Sequence, residues 1–220
     1  PKIPYNVATD FTPIVNIAAT PNIIAANPKF AGKDYKSFLA EVKSNPGKYS
    51  YASPGQGSIT HLMMEMFKLE TKTDMTHVPY RGSGPALNDA VAGQVPLIFD
   101  NFPSTLPFVK EKRLTAIVVA APQRLAVLPD VPTFKEMGLP QVNRMAYYGI
   151  VGPKNLPKEV VDKVNAAVRK AVQDPAVKKR IEESGSIIMA DTPEAFAKQM
   201  AEELAVYKNV VVKQNLKMDE

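Results

Sequence analysis

Tyr49-Ser-Tyr-Ala-Ser-Pro-Gly-Gln-Gly-Ser-Ile-Thr-His-Leu62 reads as a strand, a small-residue turn and the start of a helix. The aromatic, β-favouring opening breaks at Pro54-Gly55 and Gly57, and Ser58 or Thr60 supplies an N-cap. Leu62, Met63, Met66, Phe67 and Leu69 then keep helical spacing to about Lys72. A strand ending in small residues before a helix leaves backbone N–H groups at an open edge, where the helix dipole adds partial positive charge. Ser53–Ser58 is therefore a candidate anion pocket.

The same construction recurs downstream. Thr73–Val78 reads as a strand leading into Pro79-Tyr-Arg-Gly-Ser-Gly-Pro85, and Ala86–Ala92 as a helix that Pro85 starts and Gly93 stops. Val95–Phe99 is a third strand, followed by Asp100-Asn101 and the helical stretch Pro103–Lys110. Leu114–Ala120, apolar on both faces, is a fourth. Strands spaced by short helices predict a parallel sheet with right-handed crossovers, whose strand-to-helix loops share one edge. Ser53–Ser58, Tyr80–Pro85 and Asp100–Ser104 are thus expected to converge.

Outward from this block, Ile14–Ala19 and Asn22–Ala26 read as short strands. Asp34–Ser44 reads as a helix capped by Asp34 and ended at Asn45-Pro46-Gly47. Beyond the fourth strand come a short helix, Phe134–Met137, and a strand, Met145–Val151. Glu159–Val172 is a strongly amphipathic helix with valines along one face. Ala176–Ser184, a brief strand Ile187–Met189 and a terminal helix from Thr192 to about Val211 complete a supporting layer without a glycine-rich loop of its own.

The 220 residues are 45% hydrophobic and 22% charged, enough for one large or two small domains with a proper core. There is no cysteine, which removes disulfides and thiolate metal sites. His61 and His77 are the only histidines and stand in no metal-type cluster, so structural or surface roles are expected of them. The net charge of +5 is scattered, without basic runs interleaved with aromatics, which argues against nucleic acid. No apolar run approaches the roughly 20 residues of a membrane span. The opening Pro1-Lys2-Ile3 lacks a signal pattern, so an export signal is expected to be already removed.

An ordered set of motifs is familiar. It comprises Tyr51-Ala-Ser-Pro-Gly-Gln-Gly-Ser58 with His61-Leu62, Val78-Pro-Tyr-Arg-Gly-Ser-Gly-Pro-Ala86 and Gly93-Gln94. Arg124…Leu128-Pro-Asp-Val-Pro-Thr133…Glu136-x-Gly138-Leu139-Pro140 and Gly149-Ile-Val-Gly-Pro-Lys154 follow. Over nearly its whole length the chain resembles the Bug-type substrate-binding receptors of tripartite tricarboxylate transporters.

That resemblance implies an α/β, two-domain periplasmic binding protein of the type II-like, Venus-flytrap kind, with parallel-rich sheets flanked by helices. It implies residues 1–22 as the end of domain I and a first crossing, 23–145 as the ligand-binding domain II, and 146–220 as the return crossing and C-terminal part of domain I. It also implies that a stretch of domain I, carrying a further glycine-rich loop, precedes the position matching Pro1. The valine face at Val160, Val164, Val168 and Val172 is then expected to stand exposed, or to hide against another chain.

The implied function is that of an exported bacterial, periplasmic receptor. It captures a small mono- or dicarboxylate in an interdomain cleft and serves membrane transporter subunits, without catalysis, cofactor, metal or direct membrane insertion. The expected ligand-binding residues are Ser53, Gly57, Ser58, Tyr80, Gly82, Ser83 and Asp100, the carboxylate being met mainly by backbone N–H groups and hydroxyls. Arg81 is expected at the surface. The alternatives are a small α/β enzyme acting on a carboxylate or acyl substrate, or a ligand-sensing receptor without a transport role. For the enzyme, Ser53 or Ser58 needs a base, and only His61 and His77 are at hand.

Overall fold

The computed structural model describes residues 3–216. The chain divides into two compact units: unit 1 is Pro1–Thr20 with Tyr147–Glu220, and unit 2 is Pro21–Ala146. It therefore passes between them twice, at Thr20-Pro21 and at Ala146-Tyr147. Phe11–Thr20 forms β1 of unit 1, and β2, Asn22–Ala26, follows at once in unit 2.

Unit 2 continues with α1 (Tyr35–Ser44), β3 (Ser50–Ser53), α2 (Ile59–Thr71) and β4 (Thr76–Pro79). Then come α3 (Ser83–Ala92), β5 (Leu97–Asn101), α4 (Phe102–Lys110) and β6 (Thr115–Ala120). Local chemistry sets these bounds. At α1, Asp34 accepts the Ser37 N–H while the Ser37 hydroxyl accepts from the Asp34 N–H, a reciprocal cap. α3 starts a turn earlier than its apolar spacing predicts. Pro85 is tolerated in its first turn because amides there have no intrahelical acceptor. β5 likewise runs on through Asp100 and Asn101, two residues past the end that its apolar run predicts.

The five strands lie in the order β4-β3-β5-β2-β6. β3 is parallel to β4 and β5, whereas β2 is antiparallel to both β5 and β6. The four strands expected to be parallel do point one way, but β2 is inserted between β5 and β6. The sheet is mixed, and its strand-to-helix loops still leave from one edge. On one face Phe38, Phe67, Phe134 and Phe99 pack in that order with successive ring centroids 5.8–6.1 Å apart, all wholly buried. Each contributes about 1.5–3 kcal/mol through burial. On the other face Ala86, Leu87 and Ala90 of α3 close over Ala25, Ala52 and Ile98.

The helix expected at Phe134–Met137 does not form. Thr133 N–H donates to Glu136, and Glu136 N–H to Thr133 Oγ1, as at a helix start. Gly138, at φ +78°, and Pro140 end it after one turn. The segment covers the edge of β6 instead: Val119 N–H donates to the Pro132 carbonyl and Phe134 N–H to that of Val119.

In unit 1, β7 (Ala146–Pro153), α5 (Lys158–Ala171), α6 (Pro175–Glu183), β8 (Ile187–Ile188) and α7 (Pro193–Lys213) follow. β1 is central in the sheet β7-β1-β8 and pairs antiparallel with β8 at Ala18 and Ala19. Ile14, Val15 and Val161 form the core, with Ile150, Leu156, Val164 and Val168 packed against it. The valine face of α5 is thus largely covered by β1 and its neighbours, and Val172 is buried too; of the four valines named above only Val160 is exposed. Among the described residues no helix is long and apolar enough to cross a membrane.

Candidate functional site

The three strand-to-helix loops of unit 2 are stitched to one another at the edge where β3, β4 and β5 end. Tyr80 N–H donates to the Ser53 carbonyl (3.1 Å) and Gly82 N–H to that of Pro54 (2.8 Å). Gly55 lies so close to this second loop that a Cβ on it would stand 3.3 Å from the Tyr80 carbonyl oxygen. Ser83 Oγ then donates to Asp100 Oδ1 (2.8 Å), tying the second loop to the end of β5. All seven residues singled out from the sequence therefore lie along this edge, and Arg81 beside them is exposed.

Their hydrogen bonds decide what each has left to offer. Gly57, at φ +72°, donates its amide to Nδ1 of His61 (3.1 Å), so this N–H is engaged inside the loop and is not the free donor expected of it. The Ser58 amide is engaged too, donating to the Gly55 carbonyl (3.2 Å). Ser58 Oγ accepts the His61 N–H (3.3 Å) as the N-cap of α2 and lies 3.4 Å from Thr60 Oγ1, a contact in which either hydroxyl can donate. The amides of Ile59 and Thr60 have no intrahelical acceptor. Gly82, at φ +104°, begins α3 without a side-chain cap, which leaves the Ser83 and Gly84 amides in the same position. Two helix N-termini thus reach this edge, one from each face of the sheet.

Asp100 is wholly buried. Its Oδ1 accepts from Ser83 and from the Asn101 N–H (2.7 Å), while Oδ2 has no partner among the described residues. Burial pushes this carboxyl up to about 6, against the pull of its two donors. The Tyr80 hydroxyl donates to Asp89 (2.7 Å), and burial with that carboxylate raises it to about 12.

Beneath the loop lies a cluster that no local pattern joins. His61 and His77 stack with centroids 3.9 Å apart and planes 11° from parallel, and Tyr51 stacks on the other side of His77 at 4.9 Å. Tyr51 donates to the buried Glu65 (2.7 Å), which also pairs with Lys68 (2.9 Å). His77 Nε2 stands 2.6 Å from Ser53 Oγ. The signal is the register that sets Tyr51 opposite His77 across β3 and β4, visible only once the pairing is known. A serine–histidine contact is a nucleophile's arrangement, but Ser53 is wholly buried and its hydroxyl is bracketed by the Gly55 N–H and carbonyl, both at 3.2 Å. Its geometry suits a clamp on the turn. Among the described residues no three acidic or histidine side chains gather to hold a metal. Unit 1 has a hollow of its own, of about 320 Å³, between Pro13, Leu156, Val161 and Ala197, with a largely apolar lining.

This α/β fold is shared with solved periplasmic binding proteins, among them BugD, 28% identical with a TM-score of 0.83 over 97% of this chain and 72% of its own. The chain belongs to the tripartite tricarboxylate transporter family receptors, whose family pattern matches residues 1–216. A relative from Pseudomonas sp. strain P51, the UPF0065 protein in the tcbD-tcbE intergenic region, is 33% identical over 98% of the chain. The chain spans 65% of that relative's length. Among solved structures, one described as a periplasmic transporter is 48% identical with a TM-score of 0.89, covering 99% of this chain and 73% of its own. MatC from Rhodopseudomonas palustris, solved with bound malate, is 33% identical with a TM-score of 0.83, covering 96% and 73%.

Proposed function

We propose that this protein is a periplasmic solute receptor that captures a small mono- or dicarboxylate for a tripartite tricarboxylate-type transporter. The observation that carries the reading is the pair of helix N-termini, of α2 and α3, that meet from the two faces of the sheet at the stitched edge of unit 2. The amides of Ile59, Thr60, Ser83 and Gly84 and the Ser58 hydroxyl are the donors offered to a carboxylate. Tyr80, Gly57 and Gly82 shape the loops around it, and Ser83 and Asp100 hold the second loop to β5. In this reading unit 2 is the ligand-binding domain, and unit 1 contributes strand and helices of the other. Malate bound by MatC supports the ligand class.

Calorimetric titration of the protein with malate, adipate and a monocarboxylate series tests this. Saturable heat with at least one acid, without turnover of that acid on prolonged incubation, is the expected result. Absence of binding across the series overturns the carboxylate assignment, and product formation would favour an enzyme. A receptor that serves signalling in place of uptake is separated by transport assays in cells with and without the membrane subunits.

A further inference from the structure

We propose that His61 and His77 act as a positioning pair for the anion loop, two stacked neutral imidazoles that each fasten one end of Ser53–Ser58. The proposal rests on the carboxylate-receptor reading above. At the C-terminal end of the loop, Gly57 N–H donates to His61 Nδ1 (3.1 Å). That bond requires Nδ1 to be bare, so the neutral ring carries its proton on Nε2. At the N-terminal end, His77 Nε2 meets Ser53 Oγ at 2.6 Å, and the same hydroxyl touches the Gly55 amide and carbonyl. The 3.9 Å stack joins the two anchors, so the turn is held from beneath by one unit spanning β4 and α2.

The surroundings keep both rings uncharged. Burial lowers the pKa of His61; Glu65 pulls it back up and Lys68 pushes it down. Burial, then His61 and Lys68, take His77 down to about 3. Tyr51, the remaining titratable group on the stack, is held protonated by burial and by its bond to Glu65. A proton on His61 Nδ1 would point at the Gly57 N–H and break the bond. Gly57 sits at a left-handed φ and Ser58 begins the helix, so loss of that anchor frees the residues that aim the first amides of α2.

Two substitutions separate the acceptor from the stack. His61→Phe keeps a ring against His77 and removes the acceptor. His61→Asn loses the ring and places an amide oxygen near the former Nδ1. Malate, or whichever acid the titration series identifies, is the probe. His61→Phe should lower its affinity about tenfold with folding intact, and His61→Asn should recover most of that loss despite a lower Tm. In nitrogen-15 spectra the unmodified protein should show His61 neutral with the proton on Nε2. Its Gly57 amide should be protected from exchange, and that protection should vanish in His61→Phe. Undiminished affinity in His61→Phe, or affinities that simply follow Tm in both variants, overturns the proposal. So does a His61 proton on Nδ1. The tautomer and exchange measurements need no ligand, so they test the two anchors even if the carboxylate reading fails.

Discussion

The Ser83 hydroxyl donates to Oδ1 of Asp100 at 2.8 Å, while the other oxygen of the same buried carboxylate meets no donor among the described residues. This half-satisfied group makes the stability of unit 2 depend on pH. Its folded pKa, about 6, lies above the ordinary 3.8, so between these values the folded state binds more protons than the unfolded one. Stability conferred by Asp100 is then full below pH 4 and declines as pH rises towards 6. Asp100→Asn keeps an acceptor for Ser83 and removes the titration. Relative to that variant the unmodified protein should lose about 2–3 kcal/mol between pH 4 and pH 7. Urea unfolding at four pH values checks it, and a gap that does not change with pH would contradict the assignment.

Ser58 is asked to do two things, and Ser58→Ala should show both. Loss of the cap on the His61 N–H should cost about 1 kcal/mol of stability. Loss of the hydroxyl donor should weaken carboxylate binding by about 1 kcal/mol, read by calorimetry against the Tm shift. A stability loss with unchanged affinity removes Ser58 from the ligand site and leaves it as a cap.

The two glycines Gly149 and Gly84 predict opposite outcomes for the same substitution. A Cβ on Gly149 would stand 2.3 Å from Phe196 Cζ and 2.7 Å from the Val15 carbonyl oxygen, so Gly149→Ala must displace the Phe196 ring and the β1 backbone beside it. A loss of about 2 kcal/mol or more is expected. Nothing lies within 4 Å of a Cβ on Gly84, which is helical, so Gly84→Ala should stabilise by about 0.5–1 kcal/mol. If the carboxylate sits against the α3 N-terminus, that added methyl lowers affinity while Tm rises, and thermal unfolding with and without ligand shows the split.

Asn165 interrupts the valine face of α5 and is buried there. Its amide donates to the carbonyls of Ile14 and Asp191, both at 2.9 Å, joining helix, sheet and the segment that leads to α7. Asn165→Leu fills the space with apolar volume but abandons both bonds. About 2 kcal/mol of stability should be lost in denaturant titration. No loss would mean that packing alone holds α5 to β1.

Much of unit 2 is legible in the sequence because its signals are local. Asp34 and Ser58 cap the helices the sequence assigns to them, and the strand at Asn22–Ala26 needs only its apolar run. The convergence of the three loops follows from strand direction alone. What escapes depends on partners distant in sequence. Ile24 lies between Phe99 and Val118 in the ladder, a placement no local pattern encodes. Thr133 and Glu136 carry a helix-start signal that Gly138 and Pro140 cancel. Val172 is buried, although the resemblance implies a valine face left without its partner sheet. The His61–His77 stack requires the β3–β4 register before either ring can be placed.

The reversed strand β2 has a bearing on how the protein is made. Ile23 and Ile24, wholly buried, belong to the first strand of unit 2 to be synthesised, yet both of their neighbours come late, in β5 and β6. Until residue 120 has been added, the middle of the sheet lacks a flank and these apolar side chains stay uncovered. The long loop that must close before β2 is sandwiched raises contact order and slows folding, so the middle of the sheet is the last part of unit 2 able to form.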